Sequence, residues 1–65
     1  MMKLHIPDMS CGHCVGVITT ALKRIDQDAT ITFDVPAHTA ELKTSQAPDV
    51  VLATLAAEGY PATAA

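Results

Sequence analysis

At 65 residues the chain makes one domain, and folding at this size buries only about 60% of the unfolded surface, so there is no room for a second catalytic lobe. Apolar residues are 49% of the total, yet eleven are alanines and only Phe33 and Tyr60 are aromatic, so the core is small and aliphatic and no deep substrate cavity is expected. The net charge is −3, and Lys3, Lys23, Arg24 and Lys43 form no run that would neutralise phosphates, which argues against nucleic acid as a partner.

In chain order, Met1 to Pro7 is too short and too weakly apolar to be a signal-peptide core or a membrane span. A cytoplasmic protein without membrane insertion is therefore expected. Within that segment Met2, Leu4 and Ile6 alternate with Lys3 and His5, the period of a half-buried strand that Pro7 ends. Met9-Ser10-Cys11-Gly12-His13-Cys14 follows. From Cys14 the apolar positions Val17, Ile18, Ala21, Leu22 and Ile25 recur at helical spacing, with Gly16, Thr19, Thr20, Lys23 and Arg24 on the other face. Ala29, Ile31, Phe33 and Val35 alternate with polar residues in a second strand. Pro36-Ala37-His38 then turns into a third around Ala40 and Leu42, and the pair reads as a hairpin.

Pro48, Val51, Leu52, Leu55, Ala56 and Gly59 repeat the helical spacing of the first helix. Proline suits a first helical turn, where its missing N–H has no partner, and glycine suits the far end because it tolerates positive φ. Tyr60 to Ala64 allows a short last strand, which Pro61 confines to a sheet edge. The order is strand, helix, strand, strand, helix, strand, an α+β chain. Two helices on one face of a four-stranded sheet bury both apolar stripes economically.

The chain's only two cysteines fall on one turn at the start of the first helix. Cys11 precedes the helix in a polar loop and is expected to be exposed; Cys14 heads the apolar stripe and is expected to be partly buried. Free thiols have a pKa of about 8.5, and a helix N-terminus favours the thiolate through its unpaired N–H groups and its dipole. The dipole contributes only about 0.3–1 kcal/mol, less than one pKa unit, so a metal that displaces the protons is needed to ionise both sulfurs fully. A structural disulfide is disfavoured, because a reducing compartment and so small a loop leave little to gain. Zinc wants three or four protein ligands, and only two thiolates are assured here. Cu(I), a soft ion selected by thiolates, is satisfied by two. A bis-thiolate on an exposed loop is also open to attack by a partner's thiol, which suits transfer better than storage.

Met9-x-Cys11-x-x-Cys14 between a strand and a helix, with Gly59-Tyr60 ending a second helix, resembles the heavy-metal-associated domain family, and within it the small bacterial copper chaperones. The resemblance runs from Lys3 to about Ala62. It implies a ferredoxin-like βαββαβ fold over a single domain, residues 1–65, and Cu(I) held by Cys11 and Cys14. It also implies handover to the metal-binding domains of a copper-transporting P-type ATPase by thiol exchange, with no enzymatic activity. The residue before the methionine is often glycine in that family and is Asp8 here, a carboxylate that can disfavour an anionic complex or recruit a harder ion. Zinc-transporting relatives often carry an acid just before the first cysteine, where this chain has Ser10, which favours copper. Mercury-binding relatives are usually exported, and this chain shows no export signal.

The neighbouring residues have plainer roles to weigh. A methionine in a polar loop more often plugs the core than binds metal, and Met9 is expected there. Tyr60, which the resemblance places beside the metal loop, can shield the site and cover the helix end at once. His13 is expected to turn outward as a bystander or a neighbour of the ion rather than a ligand, and His5 and His38 read as surface residues on a strand and a turn. Two rival functions stay open. Cys11-Gly12-His13-Cys14 also spells a thiol-disulfide redox motif, against which stand the short chain and its lack of tryptophan. A zinc or other soft-metal domain of a transporter is the second, although Met1 and the two-half pattern favour a free-standing protein. A copper-bridged homodimer is compatible with exposed thiols on two molecules.

Overall fold

Burial alternates along Met2–His5, with Leu4 inward and Lys3 and His5 outward, and this period makes the first strand, β1. The structure, a computed structural model, describes residues 2–65. After β1 come α1 (Gly12–Ile25), β2 (Thr30–Asp34), β3 (Thr39–Lys43), α2 (Pro48–Ala57) and β4 (Thr63–Ala64). The sheet runs β2-β3-β1-β4 with every neighbouring pair antiparallel, so the chain has the ferredoxin-like βαββαβ fold. Strand ends fall one to three residues inside the sequence pattern, because periodicity marks burial whereas a strand needs a partner.

The register puts Leu4 opposite Ala40 and Met2 opposite Leu42, which aims the inward side chains of β1 and β3 at the helices. Their outward neighbours Lys3, His5, Glu41 and Lys43 are exposed. Leu4, Ala40 and Leu42 meet Ile18 and Leu22 of α1 and Val51 and Leu55 of α2 in one core. As expected from Pro61, the last strand is an edge: β4 pairs only with β1, Leu4 opposite Ala64 and His5 opposite Thr63.

The end of α1 far from the cysteines is pinned by polar contacts. Asp26 accepts from the Thr44 hydroxyl at 2.6 Å and the Ser45 N–H at 3.2 Å, and the Gln46 amide donates to the Ile25 carbonyl at 2.9 Å. Those donors hold the Asp26 carboxyl below its ordinary pKa, Thr44 contributing most. Lys23 lies exposed on the polar face of α1 as its spacing suggests, and its ammonium donates to the Ala29 carbonyl at 2.6 Å, bracing the α1–β2 connection.

The far end of α2 closes differently. Gly59 has φ of 87°, the Gly59 N–H donates to the Ala56 carbonyl at 3.1 Å and the Tyr60 N–H to the Leu55 carbonyl at 2.9 Å. That paired pattern is the Schellman motif, and its left-handed residue favours glycine. A Cβ at Gly59 would meet nothing within 4 Å, so conformation rather than space demands glycine there. The reversal it creates carries Tyr60 back toward the start of α1.

Candidate metal centre

The loop from Ile6 to Cys11 is anchored before it reaches the thiols. Ile6 and Met9 are fully buried, and the Met9 N–H donates to the Ile6 carbonyl at 3.1 Å, closing a turn over Pro7 and Asp8. Met9 thus fills the core under the loop, and its thioether is turned away from solvent. Cys11 is the N-cap of α1 with extended backbone, φ −153° and ψ 169°, and makes no side-chain capping bond. The first turn of α1 holds no acidic residue, whereas Lys23 and Arg24 occupy its last. The positive end of the helix dipole therefore faces the cysteines without a competing carboxylate in that turn.

The two sulfurs lie 3.2 Å apart, and their environments are unequal as the apolar stripe suggests. Cys11 is exposed, whereas Cys14 is only 7% exposed and belongs to the core. The Cys14 thiol titrates at about 7, below its ordinary value. The Tyr60 hydroxyl facing the sulfur is the largest cause, followed by the Ser10 backbone N–H and the Cys11 side chain, all of which outweigh the opposing effect of burial. The pKa of the Tyr60 hydroxyl is correspondingly raised, first by its interaction with Cys14 and then by desolvation. Tyr60, itself half-buried, thus favours the Cys14 thiolate, an effect distinct from the shielding and helix-end cover considered from its sequence position.

The remaining candidates take up separate positions. Asp8 reaches the site through its backbone carbonyl, 3.9 Å from the Cys14 sulfur. Exposed His13 lies with Gly16, Val17, Thr20 and Arg24 along a shallow groove on the outer side of α1, closed by Glu58. Among the described residues no three histidine, cysteine or carboxylate side chains converge as a metal-ligand set. Two thiols side by side are a soft donor pair, which suits a soft metal ion. His38 departs from its sequence reading. It is half-buried, holds left-handed backbone at φ 57° and places its ring nitrogen Nδ1 2.7 Å from the Met9 carbonyl. Periodicity could not find it, because the contact spans two loops; a histidine ending a four-residue hairpin connection is the one local signal.

Residues 3–61 match the heavy-metal-associated domain. The chain belongs to that family. Among solved structures similar to this heavy-metal-associated domain, a gold binding protein is 28% identical, with each chain covered completely and a TM-score of 0.95. Atu1203 from Agrobacterium tumefaciens is 30% identical over 92% of this chain and 94% of its own, with a TM-score of 0.79. The copper chaperone Atx1 from Synechocystis PCC6803, in a trimeric form, shares the fold at a TM-score of 0.93, with 21% identity over 97% of this chain and 100% of its own. No curated protein matches the chain closely enough in sequence to serve as a relative.

Proposed function

We propose that this heavy-metal-associated domain is a cytoplasmic Cu(I) chaperone, a carrier rather than an enzyme, that holds one ion between Cys11 and Cys14. The observation that carries the reading is the unequal thiol pair at the uncapped start of α1, on which no third histidine, cysteine or carboxylate converges among the described residues. At 3.2 Å the sulfurs are too close for an ion between them, since metal–sulfur bonds of about 2.3 Å, as in zinc thiolates, span about 4.6 Å when collinear. One sulfur must swing out, and exposed Cys11 is free to do so while Cys14 is held in the core. An ion held in this way stays reachable, so an incoming thiolate can bind before Cys11 leaves. The matching recipient is a second cysteine pair of the same kind, as on the metal-binding domains of a copper-transporting P-type ATPase. Names borne by structural neighbours, a gold binding protein and a copper chaperone, support a soft monovalent cargo.

The lowered Cys14 pKa by itself also suits a thiol-disulfide oxidoreductase. Such enzymes join thiolate character and exposure in one cysteine, however, and here the lowered pKa belongs to buried Cys14 whereas exposure belongs to Cys11. Titration of the apo protein with Cu(I) against a strong chelator, repeated with Zn²⁺ and with Asp8→Gly, tests the assignment. Cu(I) is expected to bind orders of magnitude more tightly than Zn²⁺, and comparable affinities would defeat the copper reading. Insulin reduction at enzymatic rates would defeat the carrier reading.

A further inference from the structure

The Val35–His38 connection between β2 and β3 ends with its own N–H to C=O bond, His38 to Val35 at 3.0 Å, and needs a left-handed residue to re-enter the ladder. Glycine meets that need at least cost, and any side chain there, histidine and asparagine included although they tolerate it better than most, carries a Cβ penalty that glycine lacks. Backbone in such a region persists where the surroundings over-determine it. The surroundings of His38 do so from two directions. Its carbonyl accepts the Ile6 N–H at 2.7 Å, and its ring stands 2.7 Å from the Met9 carbonyl. A carbonyl only accepts, so Nδ1 carries the proton and donates. Ile6 and Met9 are the two ends of the turn that delivers Ser10, Cys11 and the start of α1.

We propose that His38 is the positioning residue of the metal loop, clamping both ends of the Ile6–Met9 turn, with the ring bond to Met9 setting where the Cys11 and Cys14 thiols sit. The hairpin alone requires only left-handed backbone at position 38; what histidine adds is the donor that reaches the loop. The inference deepens the metal-carrier reading and rests on it for its affinity arm, but the clamp is also testable in the metal-free chain.

Two substitutions separate the ring from the backbone. His38→Gly keeps the left-handed turn and deletes the donor. His38→Asn tolerates the same backbone and keeps a donor nitrogen on Cγ, where the histidine Nδ1 is attached. In the full apo chain, His38→Gly is expected to speed amide exchange at Ser10 to Cys14 and alkylation of Cys14, each by about 2- to 10-fold, the equilibrium equivalent of one hydrogen bond. Cu(I) affinity against a chelator is expected to fall by a similar factor while the denaturant midpoint stays near wild type, because the lost bond is offset by glycine's ease in left-handed backbone. His38→Asn is expected to restore all three readouts. Wild-type exchange and alkylation in His38→Gly would overturn the clamp, as would His38→Asn behaving like His38→Gly. A wild-type chain that binds no Cu(I) would sink the carrier reading and leave the exchange and alkylation arms to decide the clamp.

Discussion

Cys14 is where burial and ionisation oppose each other. A thiol in an apolar core resists ionisation, yet Tyr60, Ser10 and Cys11 together bring this one to about 7. Because the folded pKa lies below the unfolded one, the thiolate's contribution to stability is present above the unfolded pKa and lost as pH falls through about 7. Between about 7 and the ordinary thiol value of about 8.5, the metal-free protein should therefore gain stability as pH rises, which denaturant titrations at several pH values will read. Tyr60→Phe removes the largest cause and keeps the ring, so the thiolate ultraviolet absorbance should titrate at a higher pH than wild type with the fold unchanged. Cys11 and Cys14 should also differ in exchange. Cys11→Ser is expected to slow copper transfer to a partner cysteine pair, because the exposed sulfur is the one that leaves or invades first. Stopped-flow transfer as fast as wild type for Cys11→Ser, with Cys14→Ser slow, would reverse that order.

Each end of α1 is held by different means. At the distal end Lys23 reaches across to the Ala29 carbonyl, and Asp26 and Gln46 stitch the helix to the β3–α2 connection. At the proximal end the helix has no side-chain cap, and the backbone groups that favour the Cys14 thiolate come from Ser10 and Cys11, just ahead of its first turn. α2 influences the site through its C-terminus, where the Gly59 reversal aims Tyr60 at Cys14. Gly59→Ala forces a Cβ into left-handed backbone and is expected to cost about 1–2 kcal/mol in urea denaturation. If that reversal positions Tyr60, the same variant should also raise the Cys14 titration point.

The whole molecule measures 26 × 20 × 19 Å, and its core is one layer of aliphatic side chains between two helices and one face of the sheet. A chain of this length has a stability of roughly 3–10 kcal/mol by the usual per-residue scale. Ile18 is fully buried at the centre of α1, and truncation to alanine should cost about 2–5 kcal/mol, much of that total. Apo Ile18→Ala is thus expected to melt well below wild type in a circular-dichroism scan. If the folded thiol pair binds Cu(I) and the unfolded chain does not, as the carrier reading expects, Cu(I) at 100 times its Kd should return about 2.7 kcal/mol and raise the melting temperature of both proteins. An unchanged melting temperature on adding Cu(I) would mean that the ion has no preference for the folded site.

Hydrophobic periodicity and turn chemistry, both local, determined much of this protein in advance. Leu4, Ile18, Leu22, Val51 and Leu55 read as core from spacing alone, Gly59 as a helix end, and Cys11 and Cys14 as an unequal thiol pair. Tertiary structure alone decided how residues remote in the chain meet. His38 looks like a surface turn residue until β2–β3 pairing brings its ring to the Met9 carbonyl, 29 positions away. Lys23 meets the Ala29 carbonyl only once the α1–β2 connection folds back to it, and Tyr60 acts on the Cys14 thiolate only once α2 packs beside α1. Burial leaves a periodic trace because every turn or pleat repeats the same environment. A single hydrogen bond between distant loops leaves none, because its geometry depends on the arrangement of the whole fold.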